Sequence, residues 1–381
     1  FFNSLLVSLE NSTSYWDIDQ DGFAEATGWV DSTDGLLAID KNNNGIIDDN
    51  GELFGTVDTD GFTVLTQYDS NGDWQITAED AVWDNLIVWQ DTNENGYSET
   101  TELHTMGDFD IVSINLSATE VNQTNQGHDV THTSTFVVDD GVNPADTRII
   151  HDIWFQYDDV NTRYNSEIEI DPVTLYLPVL RGYGTLPDTP IAATQDSTLM
   201  GMLSDFYITS FANIFTEDST VMDDVRDIMY RWAGVDGLNG DERGSNIDSR
   251  ELGFLEKLSG QDFLQRGHWE NPFTLAAQDL QEAFDIAQQN IFARLVAQSA
   301  GGDLFTGDWY YDIASDSIQG VTGLDSTVLS AIETEASSAT YPEVLWGNVV
   351  RMIEYTARDE QPAYGGPDRA RHRDHQFQRQ P

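Results

Sequence analysis

The chain has 381 residues, enough for two or three domains, and its 39% hydrophobic content with ten Trp is sufficient to fill real cores. Its 67 acidic residues against 17 basic ones give a formal net charge of −50 at pH 7, which disfavours nucleic acid and anionic membranes as partners. Because it has no Cys, disulfides, thiolate metal sites and thiol nucleophiles are excluded. No apolar run approaches the length of a membrane span, so we expect no membrane insertion.

Four acidic segments in the first hundred residues share the spacing of a calcium-binding loop. Such a loop supplies side-chain oxygens at positions 1, 3 and 5, a backbone carbonyl at position 7 and a carboxylate at position 12, with Gly at position 6. The first segment, the Asp17 loop, offers Asp17, Asp19, Asp21, Phe23 and Glu25. Gly28 stands at its position 12, so we expect a distant acid such as Asp34 to complete it.

The second and third segments each depart from this pattern at one place. The Asp40 loop offers Asp40, Asn42, Asn44, Ile46 and Asp48, and its closing carboxylate, Glu52, comes one residue late. The Asp69 loop offers Asp69, Asn71, Asp73, Gln75 and Asp80. Trp74 stands where Gly is expected, and since a Trp takes a positive φ only at a steric cost, we expect this loop to be distorted or weaker.

The fourth segment matches the pattern at nearly every position. This Asp91 loop offers Asp91, Asn93, Asn95, Tyr97 and Glu102, with Gly96 at the turn and Glu99 at position 9. Asp, Asn and Gly also cluster in ordinary turns, which is the alternative interpretation of any single loop. A halophilic or marine source would explain the acidity, but it would not explain four matching spacings. We therefore predict Ca²⁺ as the bound ion, with an affinity in the range of extracellular modules, about 10⁻⁴ to 10⁻³ M.

Around these loops the sequence predicts an α+β fold. We predict an EF-hand-like calcium-loop domain with short strands and helices over residues 1–165, including a helix at residues 78–86 and strands at residues 111–116 and 134–138. The Asp69 and Asp91 loops flank residues 81–89 as in a paired EF-hand. Their position-8 residues, Ile76 and Ser98, are therefore expected to bridge in a short ladder.

The second half of the chain predicts a mostly α-helical domain. Residues 166–195 contain four Pro and are the best linker candidate. From residue 196 to 356 apolar residues recur at helical spacing, as in the stripe between Ser219 and Gly234, and the clearest helix is expected to begin at Asn271. Residues 357–381 contain five Arg and no apolar periodicity, so we predict a disordered tail.

Residues 17–55 and 65–103 resemble the calcium-dependent self-processing module of large secreted RTX proteins of the FrpC class. The resemblance rests on ATGW at residues 26–29, TDGLL at residues 33–37 and ELFG at residues 52–55, which stand in the family's order. Further on, RWAGVDG at residues 231–237 and RGSNIDSRELGFLEKLSG at residues 243–260 look like the segment that follows this module. The resemblance implies type I secretion, folding in extracellular calcium, and a toxin or adhesin at the cell surface or outside the cell.

The resemblance also implies an enzymatic alternative and a binding alternative. In the family, an Asp carboxylate attacks its own carbonyl carbon at an Asp-Pro bond, and the resulting anhydride can be captured by a Lys amine. That bond would lie before Phe1, so we predict no catalytic residue and no covalent cross-linking in this chain, and we do not expect cleavage at Asp171–Pro172. A third hypothesis is an adhesive module that contacts a host or cell-surface ligand. No hydrolase motif accompanies the His residues, and His128 and His132 are expected to be solvated loop residues.

Overall fold

The computed structural model describes residues 6–56, 58–166 and 168–356. It divides into two compact units, Phe1–Ser166 and Glu167–Pro381. Helices are concentrated in the second unit, which confirms the predicted α+β class. The predicted tail, residues 357–381, lies outside the described residues. Within the part of the chain that is described, no helix combines the length and the apolar character needed to span a membrane.

The first unit is built mainly from short antiparallel strands. Its strands are β1 (Leu6–Val7), β2 (Tyr15–Trp16), β3 (Phe23–Thr27), β4 (Trp29–Val30), β5 (Leu36–Ile39), β6 (Gln75–Thr77), β7 (Leu86–Trp89), β8 (Leu103–Thr105), β9 (Ile111–Asn115), β10 (Thr119–Asn125), β11 (His128–Val138), β12 (Asp146–Trp154) and β13 (Tyr157–Tyr164). A short helix, α1 (Gly61–Leu65), is capped by the Asp60 carboxylate, which accepts from the Thr63 amide at 2.9 Å.

These strands form small sheets, with the longest strand at the centre of the largest. Strand β11 pairs with β12 along its length and with β10 and β9, and β9 continues to β6. The other sheets have the orders β13-β3-β2, β5-β7-β8 and β1-β4. Strand β3 begins at position 7 of the Asp17 loop, and β6 begins at position 7 of the Asp69 loop. The sheets therefore hold the second half of each of these loops.

Two buried clusters fill the first unit. One contains Leu65, Ile76, Ile114 and Phe136. The other is centred on Trp16, Trp29 and Trp89, whose ring centroids are 5.3 to 5.6 Å apart. Because Trp16 directly precedes the Asp17 loop and Trp89 lies just before the Asp91 loop, this second cluster holds the starts of both loops.

The helix predicted at residues 78–86 is wrong. The chain forms turns there, a short 3₁₀ helix at Trp83–Asn85, and then strand β7. The run of Leu, Ile, Val and Trp from Leu86 is typical of a buried strand, and Asp80 is engaged in closing the Asp69 loop. The strands predicted at residues 111–116 and 134–138 are confirmed as β9 and the end of β11.

The second unit is helical with small hairpins. Its elements are α2 (Thr189–Gln195), α3 (Ser197–Tyr207), α4 (Phe211–Ile214), α5 (Val221–Trp232), α6 (Ser249–Ser259), α7 (Thr274–Ala297), β14 (Phe305–Thr306), β15 (Tyr310–Asp312), β16 (Ser317–Gln319), β17 (Gly323–Leu324), α8 (Ser326–Ser338) and α9 (Pro342–Thr356). Helix α7 begins at Thr274, after Phe273, rather than at the predicted Asn271.

A buried ion pair joins the long helix α7 to the β15–β16 hairpin. Arg294 donates from Nε to Oδ1 of Asp316 at 2.6 Å, and both side chains are more than nine-tenths buried. The Tyr311 and Tyr183 hydroxyls donate to the same carboxylate at 2.7 and 3.2 Å. The ion pair is therefore fully embedded in hydrogen bonds, which is what a buried charge pair needs to be tolerated.

The linker predicted for residues 166–195 is packed into the second unit. Leu180, Tyr183 and Leu186 are buried, and helix α2 lies within the same segment. The Trp232 indole donates to the Pro187 carbonyl at 2.8 Å. The Pro and Gly residues interrupt regular structure here, but the apolar residues between them are buried and pack the segment into the second unit.

Candidate metal centre

All four acidic loops have the same backbone turn. Positive φ angles occur at positions 4 and 6 of every loop: Gln20 66° and Gly22 93°, Asn43 59° and Gly45 88°, Gly72 77° and Trp74 67°, Glu94 58° and Gly96 76°. Because positive φ is uncommon for residues other than Gly, this repetition at matching positions is not a consequence of composition alone.

The expected distortion of the Asp69 loop is absent from its backbone, and its weaker binding stays a prediction. Trp74 takes up the left-handed φ of 67° that the loop requires at position 6. Its side chain is 61% exposed, so the indole meets no packing obstacle in this conformation. Its amide donates to Asp69 at 2.9 Å, as the position-6 Gly does in the other loops.

The side chains at positions 1, 3 and 5 are curled over their own loops. The amide at position 6 donates to the Asp at position 1 in each case: Gly22 to Asp17 at 3.1 Å, Gly45 to Asp40 at 2.9 Å, Trp74 to Asp69 at 2.9 Å, and Gly96 to Asp91 at 2.8 Å. The side chains at positions 3 and 5 accept from amides two residues later, as Asn93 does from Asn95 and Asn95 does from Tyr97. These bonds fix the direction of the oxygen-bearing side chains before any ion is considered.

A carboxylate closes each loop by accepting from the amide at position 2. The pairs are Ile18 with Glu25 at 2.9 Å, Lys41 with Glu52 at 2.9 Å, Ser70 with Asp80 at 2.8 Å, and Thr92 with Glu102 at 2.8 Å. These acids do not all stand at the same loop position, but each accepts a hydrogen bond from the amide at position 2. Glu52 reaches its place because the 3₁₀ helix Asn50–Glu52 takes up the extra residue.

The prediction that Asp34 completes the Asp17 loop is wrong. Glu25, at position 9, closes this loop from strand β3. Strand β3 covers positions 7 to 11, so the acid at position 9 lies on the strand. In the Asp69 loop, strand β6 ends at position 9 and a turn brings Asp80 back at position 12. Asp34 is instead buried and accepts from the Gly35 amide at 2.8 Å.

Several of these carboxylates are buried. Asp91 is fully buried, and Asp17, Glu25, Glu52 and Glu102 are at most 4% exposed. Burial raises the pKa of Glu25 to about 8, and it also raises the pKa of Asp17, Glu52 and Asp91. A cation held between such groups would supply the missing counter-charge.

One oxygen atom in the Asp17 loop points to an ion directly. Oδ1 of Asp17 is buried and has no hydrogen-bond partner, although buried carboxylate oxygens are normally satisfied. Carboxylate oxygens of Asp17, Asp19 and Asp21 all lie within 4.8 Å of one another. The donor set consists of oxygen alone, which fits a hard cation such as Ca²⁺ and does not fit a softer transition metal.

The Asp91 loop pairs with the Asp40 loop, so the predicted bridge between Ile76 and Ser98 is wrong. Ile76 pairs with Ile114 in the β6–β9 ladder. The Ser98 hydroxyl instead accepts from the Ile47 amide at 2.6 Å and donates to the Ile47 carbonyl at 3.0 Å. Ile47 and Ser98 both stand at position 8, so a side chain makes the link that backbone makes in an EF-hand pair.

The Asp91 loop is also fastened to the chain around the Asp17 loop. The Trp29 indole donates to Oδ2 of Asp91 at 2.7 Å, and the Ser14 hydroxyl donates to the Glu94 carbonyl at 2.8 Å. A Cβ atom on Gly96 would lie 2.5 Å from the Tyr15 carbonyl oxygen, so Gly96 is required for close approach as well as for its φ. The role of Trp29 is not evident from loop spacing; the ATGW motif was the available signal.

Residues 5–156 match the SPM domain. Over 230 residues the chain is also 32% identical to the iron-regulated protein FrpA of Neisseria meningitidis serogroup C. That alignment covers 58% of this chain and 20% of FrpA, so the chain spans about a fifth of the relative's length. All four acidic loops lie inside the SPM match. The two comparisons support the predicted likeness to FrpC-class proteins for this part of the chain.

His128, within the SPM match, is not the solvated loop residue that the sequence predicted. His128 is fully buried in β11, where its Nδ1 accepts from the Gln156 amide at 2.9 Å and its Nε2 lies 3.0 Å from the Val7 carbonyl. Burial lowers the pKa of His128. His132 lies on the same strand, with Nδ1 4.0 Å from Asp152. The prediction of solvated loop positions is therefore wrong for both residues, which belong to a sheet.

Asp171, which precedes the Asp-Pro bond, is held in a local turn. Its Oδ1 accepts from the Val173 amide at 2.9 Å, and its carbonyl accepts from the amide and hydroxyl of Thr174 at 2.9 and 2.8 Å. The carboxylate is thus oriented forward along the chain by a hydrogen bond. This arrangement is that of a turn cap and does not require a chemical role.

Proposed function

We propose that the first unit is a calcium-binding module of a secreted RTX-type bacterial protein, and that extracellular Ca²⁺ drives its folding. The observation that carries this proposal is the common architecture of the four loops. Each combines two positive φ angles, inward-curled side chains at positions 1, 3 and 5, and a closing carboxylate bonded to the amide at position 2. The resemblance of residues 17–55 and 65–103 to secreted RTX proteins supports a location outside the cell.

Electrostatics explains why calcium would act on folding as well as on local structure. Two carboxylates about 4 Å apart repel by roughly 4 kcal/mol at an effective dielectric near 20, and each loop gathers several oxygen ligands. An ion that binds only the folded loops stabilises the folded state by mass action. Affinities of about 10⁻⁴ to 10⁻³ M would leave the loops unfilled inside a cell and filled outside it.

A calcium titration followed by calorimetry and circular dichroism tests the proposal, and Glu102→Gln sharpens the test. Gln retains an oxygen that accepts from the Thr92 amide but removes the charge and the second carboxylate oxygen. We expect the wild type to gain ordered structure with calcium and the variant to lose one binding event. Glu10→Gln, in an exposed turn, is the matched control. An unchanged spectrum and no heat of binding in the wild type would rule out the proposal.

Calcium-triggered autoproteolysis at an Asp-Pro bond is the second candidate function, and the SPM match favours it. The turn at Asp171 directs its carboxylate toward Val173, so Asp171–Pro172 is a poor substrate bond in this conformation. Mass spectra recorded before and after calcium addition test this candidate. New fragments ending at Asp171 would support autoproteolysis at this bond. An unchanged mass would support calcium binding without cleavage.

A further inference from the structure

The Asp17 loop differs from the other three in the element that completes it. Its closing carboxylate comes from Glu25 in the middle of strand β3, whereas Glu52, Asp80 and Glu102 lie outside the strands. At positions 1, 3 and 5 and at the closing acid, the Asp17 loop has four carboxylates, against two in the Asp40 loop, three in the Asp69 loop and two in the Asp91 loop. The Asp17 loop thus has the most carboxylates at these positions, and its closing acid lies within a sheet strand.

An independent feature points to an ion at this loop. Asp17 is 4% exposed, and its Oδ1 is buried without a hydrogen-bond partner beside the Asp19 and Asp21 carboxylates. A buried unsatisfied carboxylate oxygen costs the protein its full desolvation penalty. A cation bound between these three side chains and Glu25 would satisfy that oxygen and offset the repulsion of the group.

Strand β3 connects this loop to the last strand of the first unit. Strand β13 pairs with β3 through Tyr164 with Phe23, Arg163 with Ala24 and Thr162 with Glu25. The ladder continues at the loop itself, because the Asn165 amide donates to the Gly22 carbonyl at 2.9 Å. Positions 6 to 9 of the Asp17 loop therefore pair with the second half of β13, while Tyr157 and Asp158 pair with Thr27 and Ala26 further along β3.

Side chains add to this attachment. The Phe23 and Tyr164 rings meet edge to face at 5.4 Å, and the Arg163 guanidinium lies 3.8 Å from the centre of the Tyr15 ring. The Tyr15 hydroxyl donates to Asn161 at 3.1 Å. All of these partners of β13 lie in β2, in β3 or in the loop that joins them, so their order depends on that loop.

We infer that a calcium ion bound by Asp17, Asp19, Asp21 and Glu25 fastens strand β13 to the first unit. The ion would hold Glu25 over the loop and thereby fix the part of β3 that pairs with β13. Because β13 is the last strand of this unit, calcium binding at the Asp17 loop would order the final segment of the unit. This inference rests on the proposed calcium binding and adds a specific consequence for one strand.

Hydrogen exchange in saturating calcium tests the inference in the full chain. Glu25→Gln retains an acceptor for the Ile18 amide but lacks the charge. We expect calorimetry to show one fewer bound ion and the amides of Tyr157–Tyr164 to exchange at least about tenfold faster. Glu102→Gln is the matched control, since it should also lose one ion while leaving those amides protected. Circular dichroism of both variants reports whether the fold as a whole is retained.

Each outcome decides a separate point. If Glu25→Gln binds as many ions as the wild type, Glu25 is not a ligand and the inference fails. If the ion is lost but Tyr157–Tyr164 remains protected, or if Glu102→Gln exposes the strand equally, the link between this ion and β13 fails. If the wild type binds no calcium at all, the proposed function itself fails.

Discussion

At the scale of single residues, identical chemistry is reached from different sequence positions. Glu25, Glu52, Asp80 and Glu102 all accept from the amide at position 2 of their loops. Position 1 is evident from the sequence because local turn chemistry dictates it. The closing acid is less evident, since its place depends on whether the chain leaves the loop as a strand, a turn or a 3₁₀ helix.

A second residue-scale feature is the neutral state of His128. Its Nδ1 accepts from the Gln156 amide, so its Nε2 carries the proton and donates to the Val7 carbonyl. Protonation of Nδ1 would place its N–H donor opposite the Gln156 amide N–H donor in a buried environment. Burial therefore keeps the pKa of His128 below its ordinary value of 6.5.

The depressed pKa of His128 predicts a loss of stability in acid. The stability it contributes is present above pH about 6.5 and is lost as the pH falls toward the folded-state pKa, by up to about 1.4 kcal/mol per pH unit. Urea unfolding at pH 7.5 and pH 5.5, in saturating calcium to keep the loop carboxylates ionised, measures it. His128→Gln should be less stable than the wild type at pH 7.5 but should show a smaller difference between the two pH values. Equal pH dependence in both proteins would contradict the assignment.

At the scale of elements, the sequence predicts local loops and strands better than it predicts which distant segments pair with each other. The four loops and the strands β9 and β11 follow from local spacing and alternation. The partner of the Asp91 loop does not, because Ser98 meets Ile47 across more than fifty residues. Sequence proximity favours the Asp69 loop, but Ile76 is already engaged with Ile114.

Ser98 therefore provides a test of the pairing. Ser98→Ala leaves the Ile47 amide and carbonyl without their buried partner, a loss of about 1–3 kcal/mol. We expect weaker calcium binding at the Asp40 and Asp91 loops and a lower Hill coefficient, since the two loops no longer stabilise each other. Ser98→Thr keeps the hydroxyl and should retain most of the coupling. A calcium titration of Ser98→Ala that superimposes on the wild type would show that the loops act independently.

At the scale of the whole molecule, the two units have different sources of stability. The first combines short strands with buried carboxylates that need a counter-charge. The second has a long helix whose carboxyl-terminal half is buried, and an ion pair, Arg294 with Asp316, that is satisfied within the protein. The four candidate loops lie in the first unit, so calcium should affect the stability of the two units unequally.

Removing calcium should therefore loosen the first unit and leave the second folded. With a chelator in excess, we expect amides of β7 and β9 to exchange rapidly while those of α5 and α7 remain protected, because the second unit keeps its apolar core. Fluorescence of the buried Trp16, Trp29 and Trp89 should shift to longer wavelength as these rings become hydrated. Re-addition of calcium should reverse both changes, and magnesium, which demands stricter octahedral geometry, should reverse them less completely. Loss of protection in α7 together with β7 would instead mean that the two units fold as one.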